Sequence, residues 1–362
     1  MMRRTALYEE HLALDGRMVD FAGWELPVLY SSIIEEHAAT RTGAGLFDVS
    51  HMGEIIVNGP GAKSFLRRMI PTRVDKLAPS RSMYTCLCRE DGGVVDDIFI
   101  FMISESEFYI VVNAATIEKD LKWVRAHASN DVEIVDVSAE TSKIDLQGPA
   151  SLDILTRVLA DERAGRLERF EFFHAEHRAA RLMVSRTGYT GENGYELFVP
   201  NDAAVSLWRE LLQAGEEYGI KPAGLGARDM LRLEAAYSLY GHELSDTITP
   251  VEAGLNWLVT SADDYIGRRV LVEQKEKGAP RTIICFELEG RGVPREHCPV
   301  LKDGVEIGMS TSGGFSPILK KGIGMALVKA GTLAVGDAFS LLIRDNPVPA
   351  RAVKRPFYAF NG

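Results

Sequence analysis

Two adjacent acids at the start of an apolar run are the first residues here whose types and spacing could do chemistry. Gly92-Gly93-Val94-Val95-Asp96-Asp97-Ile98-Phe99-Ile100-Phe101 reads as a glycine turn feeding a strand. Successive strand side chains point to opposite faces, which groups Asp97 with Val95 and Phe99 and turns Asp96 the other way. The two acids therefore do not form a facing acid/base pair. Either both cap the turn at the strand edge, or one is buried beside Phe and Val. There a carboxylate must be hydrogen-bonded or hold its proton to unusually high pH, as catalytic acids and bases do.

A second segment, Ser185 to Pro200, contains Thr187-Gly188-Tyr189-Thr190-Gly191-Glu192-Asn193-Gly194 followed by the strand-like Tyr195-Glu196-Leu197-Phe198-Val199. Three glycines at this spacing let backbone approach a flat ligand, and Tyr189 offers a stacking face and a hydroxyl. Glu196 either faces solvent by alternation or is buried with a donor, where its two oxygens could read the paired N–H groups of an amino-pyrimidine edge. A third segment, Pro222 to Glu234, runs from a glycine loop into a helix, with Met230, Leu233, Tyr237 and Tyr240 expected on one apolar stripe. Arg228 and Arg232, four apart, stack one above the other. They either bind one carboxylate, from a ligand or from Glu196, or form surface salt bridges with Asp229 and Glu234. His51 in Phe47-Asp48-Val49-Ser50-His51-Met52-Gly53-Glu54 titrates in the right range for a proton carrier, but no Ser or Cys is fixed beside it as a nucleophile, and a structural histidine at a strand start is the simpler reading. Met52 and Tyr84, taken alone, read as core fillers.

The elements that must position these groups alternate irregularly. Strands are expected at Glu54 to Val57, Ile98 to Ile103 and Phe108 to Val112, and helices at Thr116 to His127 and Asp202 to Glu217. Helices fall between pairs of strands and no GxGxxG follows a strand, so the class is α+β rather than a dinucleotide-binding fold. After about Ile266, short strands separated by turn residues suggest a small β-barrel or sandwich. The length of 362 residues with 46% hydrophobic side chains supports two or three packed cores. A net charge of −10 argues against general nucleic-acid binding and requires a local basic patch for any acidic partner, for which Lys320, Lys321, Lys354 and Arg355 are candidates from clustering. No secretory signal or membrane-spanning run is apparent, so a cytoplasmic protein is expected. Cys86, Cys88, Cys285 and Cys298 have neither zinc nor disulfide spacing and are expected as buried free thiols, with no metal site.

Taken in order, Phe21-Ala22-Gly23-Trp24, the His51 segment, Gly92 to Asp97, Gly188-Tyr189-Thr190-Gly191-Glu192, Gly224-Leu225-Gly226-Ala227-Arg228-Asp229 and Thr311-Ser312-Gly313 resemble the T-protein family of the glycine cleavage system, from Leu7 to about Tyr358. The resemblance implies three domains in a ring around a central folate site, the C-terminal one a small β-barrel. On it, residues 1–265 form the catalytic region as two interleaved α+β domains (about 1–52 with 138–250, and 53–137), and 266–362 form the barrel. It implies an aminomethyltransferase that passes the one-carbon unit of aminomethyl-dihydrolipoyl carrier protein (H-protein) to tetrahydrofolate as co-substrate. Asp97 resembles the catalytic carboxylate, Glu196 the residue that reads the pterin edge, and Arg228 a second folate contact. Tyr84, Asn113, Tyr189 and Met52 match positions lining the pocket. The late Tyr or Arg that some relatives supply to the folate has no assigned counterpart in this chain. A folate-dependent demethylase on the same scaffold, or a non-catalytic folate-binding assembly factor, are the competing expectations. The second of these usually carries Lys-Gly-Cys, which does not occur here.

Overall fold

The computed structural model describes residues 2–359. A six-stranded sheet gathers Gly45–Asp48, Thr141–Gln147, Phe172–His177, Ala180–Ser185, Gly194–Pro200 and the short Lys221–Pro222, so its strands come from both sides of the intervening second sheet in sequence. Helices Ser151–Leu159 and Asn201–Gly215 cover one face, their apolar stripes meeting Ile144, Leu146 and Leu197 around the fully buried Trp208. A five-stranded antiparallel sheet, ordered Arg81–Cys88, Val94–Ser104, Glu107–Val112, Gly53–Asn58 and Glu133–Asp136, carries helices Ala62–Met69 and Ile117–His127. The uncovered faces of the two sheets meet through Phe101, Val111, Phe172, Met183 and Phe198. Six antiparallel strands between Arg281 and Val353 then close into a barrel.

Alternation in Val94–Ser104 separates Asp97, Phe99 and Phe101 from Asp96, Ile98, Ile100 and Met102, which face the helices. Val95 does not follow the expected grouping with Asp97. A register shift between Leu87 and Cys88 interrupts the pairing there, and Val95 packs with Ile98 in the helix-side core. The segment after Ile266 does not open directly into short strands: helix Arg268–Lys277 comes first, burying Leu271 against Cys88 and Val94, and the barrel begins at Arg281.

Helix Leu225–Glu234 joins the parts. Ala227 and Leu231 pack with Phe47 and Val49 of the first sheet, whereas Met230 and Leu233 pack with Ile283, Cys285, Ile323 and Met325 of the barrel. Its two leading glycines serve close approach: a Cβ on Gly224 would lie 2.5 Å from the Val28 carbonyl carbon, and one on Gly226 2.6 Å from Ile33. The helix stops at Glu234, so Tyr237 and Tyr240 lie in the following loop and do not extend its stripe. Nor do its arginines share a partner or form only surface pairs. Arg232, 1% exposed, donates to Glu243 at 3.0 Å, Ser312 at 2.9 Å and the half-exposed Asp229. Arg228 reaches Asp145, and Glu234 pairs with Arg41 and His37. The suggested basic patch is similarly committed in part: Lys321 pairs with Glu287, and Arg355 donates to the carbonyls of Ala253 and Ala236.

Arg232→Met leaves Glu243 buried without its cation, a class of change that costs about 3–5 kcal/mol. Urea unfolding should therefore show a large loss for Arg232→Met and a change under about 1 kcal/mol for Asp229→Ala. Equal, small losses would remove Arg232 as the clamp.

Candidate functional site

Between the two sheets and the helix Leu225–Glu234 lies a cavity of about 460 Å³. All seven residues singled out from the sequence line it: Met52, Tyr84, Asp97, Asn113, Tyr189, Glu196 and Arg228. The barrel supplies no lining residue among those described, and acts on the site through the helix it braces.

Asp97 stands on one wall. Tyr84 Oη donates to its Oδ2 at 2.9 Å and Asn113 Nδ2 to its Oδ1 at 3.0 Å. Burial, reinforced by the neighbouring Asp96 charge, pushes its carboxyl up to about 7, despite the opposing hydrogen bonds from Tyr84 and Asn113. Neither acid caps a turn at an exposed edge. Asp96 is fully buried on the opposite face, accepting from Asn113 N–H at 2.8 Å, Asn113 Nδ2 at 2.9 Å and Thr116 Oγ1 at 2.9 Å. Asn113 thus bridges the two carboxylates.

The opposite wall is a row of charges. Glu196 and Asp145 are cross-strand partners, which sets two buried carboxylates side by side. Like charges so placed repel, and Lys143 Nζ lies between them, 2.5 Å from Glu196 and 3.1 Å from Asp145. Burial opposes the lysine's charge, but Asp145 and Glu196 outweigh it and its pKa lies above the ordinary value. Arg228 completes the row, its Nη1 3.0 Å from Asp145 and its Cζ 4.9 Å from the centre of the Tyr189 ring, a cation–π arrangement. Two anions and two cations make the row neutral, which is how four charges can share a buried wall. Glu196 also accepts from Thr187 at 2.5 Å, and a carboxylate with about four lone-pair sites still has acceptor capacity toward the cavity.

Two expectations change. The glycines of the Ser185–Pro200 segment do not principally serve a ligand: Gly188 and Gly194 leave room for the Gln147 carboxamide, which their Cβ atoms would meet at 2.1 and 2.5 Å. Tyr189 is held through its hydroxyl, which donates to Ser238 C=O at 2.5 Å, with its ring stacked near Tyr237. His51 lines the cavity rather than serving only the strand start, and its buried Nδ1 has no hydrogen-bond partner among the described residues. Lys143 was not singled out from the sequence. Its signal is the alternation Lys143-Ile144-Asp145-Leu146-Gln147, which reads as a solvated strand face.

A cavity between domains, with a poised carboxylate on one wall and a neutralised charge row on the other, is the plan of a small-molecule enzyme. The chain belongs to the glycine cleavage T-protein family: residues 7–263 match the GCVT N-terminal domain and residues 281–359 the glycine cleavage T-protein C-terminal barrel domain. It is 47% identical over 361 residues to an aminomethyltransferase of Geobacillus kaustophilus (strain HTA426) and 44% identical over 361 residues to that of Bacillus subtilis (strain 168), covering 99% of each chain. It is also similar to the crystal structure of glycine cleavage system aminomethyltransferase T from Bartonella henselae, with TM-score 0.92, 29% identity and coverage of 99% of this chain and 98% of that one. The expected fold class, α+β with three domains and a C-terminal barrel, is thus the observed one, and the chain is an enzyme of the aminomethyltransferase class. No helix among the described residues is long and apolar enough to cross a membrane.

Burial, then the positive charge of Arg228, lowers the His51 pKa to about 3, so the imidazole is neutral at working pH. An NMR titration of its ring protons should show no inflection between about pH 5 and 8, the range in which an unperturbed histidine changes charge. An inflection there would restore His51 as a proton carrier.

Proposed function

We propose that this chain transfers the one-carbon unit of an aminomethyl-dihydrolipoyl carrier, the H-protein of the glycine cleavage system, to tetrahydrofolate. The products are 5,10-methylenetetrahydrofolate, ammonia and the dihydrolipoyl carrier. Cytoplasmic one-carbon metabolism and glycine catabolism belong to the same reading. The observation that carries it is Asp97: a carboxylate at a cavity wall, with a pKa raised to about 7, held by Tyr84 and Asn113.

The cavity fits a reduced folate. Glu196 keeps acceptor capacity for a donor pair such as the amino-pyrimidine edge, Arg228 brings positive charge to the same wall, and Met52, Tyr84, Phe99 and Tyr189 offer apolar surface. Bound folate would supply the nucleophilic nitrogen that accepts the methylene carbon. Asp97 supplies what that exchange lacks. As sulfur leaves the aminomethyl carbon, positive charge develops on the remaining fragment, and a fixed carboxylate in a water-poor wall stabilises it without having to reorient. Tyr84 and Asn113 direct the oxygens, and the same carboxylate can receive a proton during turnover. Lys143 and Thr187 fix the Glu196 rotamer, so affinity is not spent on ordering it.

With purified H-protein and tetrahydrofolate, Asp97→Asn should lower kcat by about 10²-fold to 10³-fold while changing folate Kd little, since the lost charge acts on the transition state. Asp96→Asn should retain more turnover. In the wild type, kcat should fall as pH drops through about 7, because protonation removes the charge of Asp97. Near-normal turnover in Asp97→Asn would reject the assignment. Calorimetry on Glu196→Ala should show folate binding weakened by about 1.5–3 kcal/mol per lost charged hydrogen bond, and unchanged affinity would remove Glu196 from the site.

A further inference from the structure

Behind Asp96 stands a third carboxyl group. Asp120 occupies the helix Ile117–His127 at the spacing of Ile117, Leu121 and Val124, which face the core, and it is fully buried. Among the described residues, neither of its oxygens has an N–H or hydroxyl donor directed at it, a costly state for a buried ion. Its polar neighbours are the Asp96 carboxylate and the Thr116 hydroxyl, whose single proton is directed to Asp96 Oδ2 at 2.9 Å or to the Asn113 carbonyl at 2.9 Å. Two carboxylates in such contact repel; a carboxyl and a carboxylate share a hydrogen bond.

We propose that Asp120 carries a proton and donates it as a hydrogen bond to Asp96, and that this buried acid pair positions Asn113 and through it Asp97. The pair keeps Asp96 charged. Three donors from Asn113 and Thr116 already favour the ionised form of Asp96, so the shared proton rests on Asp120. Asp96 in turn holds the Asn113 carboxamide by its Nδ2, the same nitrogen that donates to Asp97 Oδ1. A line of hydrogen bonds therefore runs from Asp120 through Asp96 and Asn113 to the wall of the cavity. Asp120 touches no cavity surface and acts only through this line.

The other groups nearby do not supply the missing donor. Lys119, on the same helix, is turned toward Tyr240 Oη and Asp246. From the adjacent strand, Cys86 faces the acids as a neutral thiol, burial first and then the Cys88 and aspartate charges raising its pKa. Tyr240 and Asp246 approach from the loop after the helix Leu225–Glu234, with Tyr240 committed to Asp246. Burial, followed by the Asp96 charge, raises the Asp120 pKa to about 10. The start of a helix favours an anion, but by less than about tenfold in the ionisation constant, too little to reverse burial beside a like charge.

The effect on turnover rests on the role proposed for Asp97; the proton on Asp120 does not. Two measurements separate them. Infrared spectra in D₂O at about pH 8.5, between the values for Asp97 and Asp120, should contain a carboxylic-acid C=O band that is absent from Asp120→Asn. The buried Glu54, whose pKa burial also raises, contributes to both spectra and cancels in their difference. Loss of no band in Asp120→Asn overturns the acid pair whatever Asp97 does. In kinetics, Asp120→Asn keeps an N–H donor to Asp96 and should hold kcat within about threefold, with its acidic limb unmoved. Asp120→Leu removes the donor, Asp96 takes up the proton itself, and the charge behind Asp97 is lost. Its acidic limb should then move to lower pH by about one unit or more, the scale of a neighbouring carboxylate's influence. A limb that is unmoved in Asp120→Leu, or moved equally in Asp120→Asn, overturns the positioning role. Should Asp97→Asn itself retain full turnover while the band difference persists, the acid pair stands and the catalytic reading of Asp97 falls.

Discussion

Helix Leu225–Glu234 has to be buried on several sides at once, and the rest of the molecule is arranged around that requirement. Its apolar residues divide between two cores, Ala227 and Leu231 toward the first sheet and Met230 and Leu233 toward the barrel. Its buried or part-buried charged residues divide as well, each reaching a partner outside the helix: Arg228 to Asp145, Arg232 to Glu243 and Ser312, Glu234 to Arg41, His37 and Ser316. A buried charge is tolerable only while its partner stays in place. Docking of the barrel, closure of the loop from Tyr237 to Glu243 and placement of Arg228 at the cavity are therefore linked events.

The same constraint governs the two walls. On one, four alternating charges sum to zero and so can be kept from water; on the other, acids outnumber bases, and burial drives protons onto them. A neutral wall is suited to reading a polar ligand edge, because none of its members must change charge when the ligand arrives. The acid-rich wall is suited to chemistry, because a carboxylate whose pKa lies near 7 can hold negative charge and exchange a proton at working pH. The two sheets bring these walls together by packing through Phe101, Phe172, Met183 and Phe198, an aromatic contact that places Asp97 and Glu196 across one cavity.

Much of this was legible in the residues. Glycine turns and alternation located the strand of Asp97 and turned Asp96 away from it, and the change to short strands with turn residues announced a barrel or sandwich, of which the barrel forms. Both follow from local rules, since side-chain alternation and turn conformations are properties of the chain within a few residues. The order of motifs pointed to the T-protein family and to seven of the residues that line the cavity, though not to Lys143. Local rules failed where a local irregularity intervened: at the register shift beside Cys88, which sent Val95 to the other face, and at Glu234, where the helix ended before Tyr237 and Tyr240.

What the sequence determined by itself was which residues share a face and which segments turn, together with the presence of acids inside apolar runs. What only the tertiary structure decided was the partner of each charge. Lys143, Asp145 and Gln147 alternate with Ile144 and Leu146 as on any half-solvated strand, and Asp120 looks like one more acid on a helix of mixed charge. Nothing within a few residues says that a second sheet covers the first, or that Asp120 faces another acid. Charge interactions depend on distance and on the exclusion of water, and both are set by packing between segments far apart in the chain.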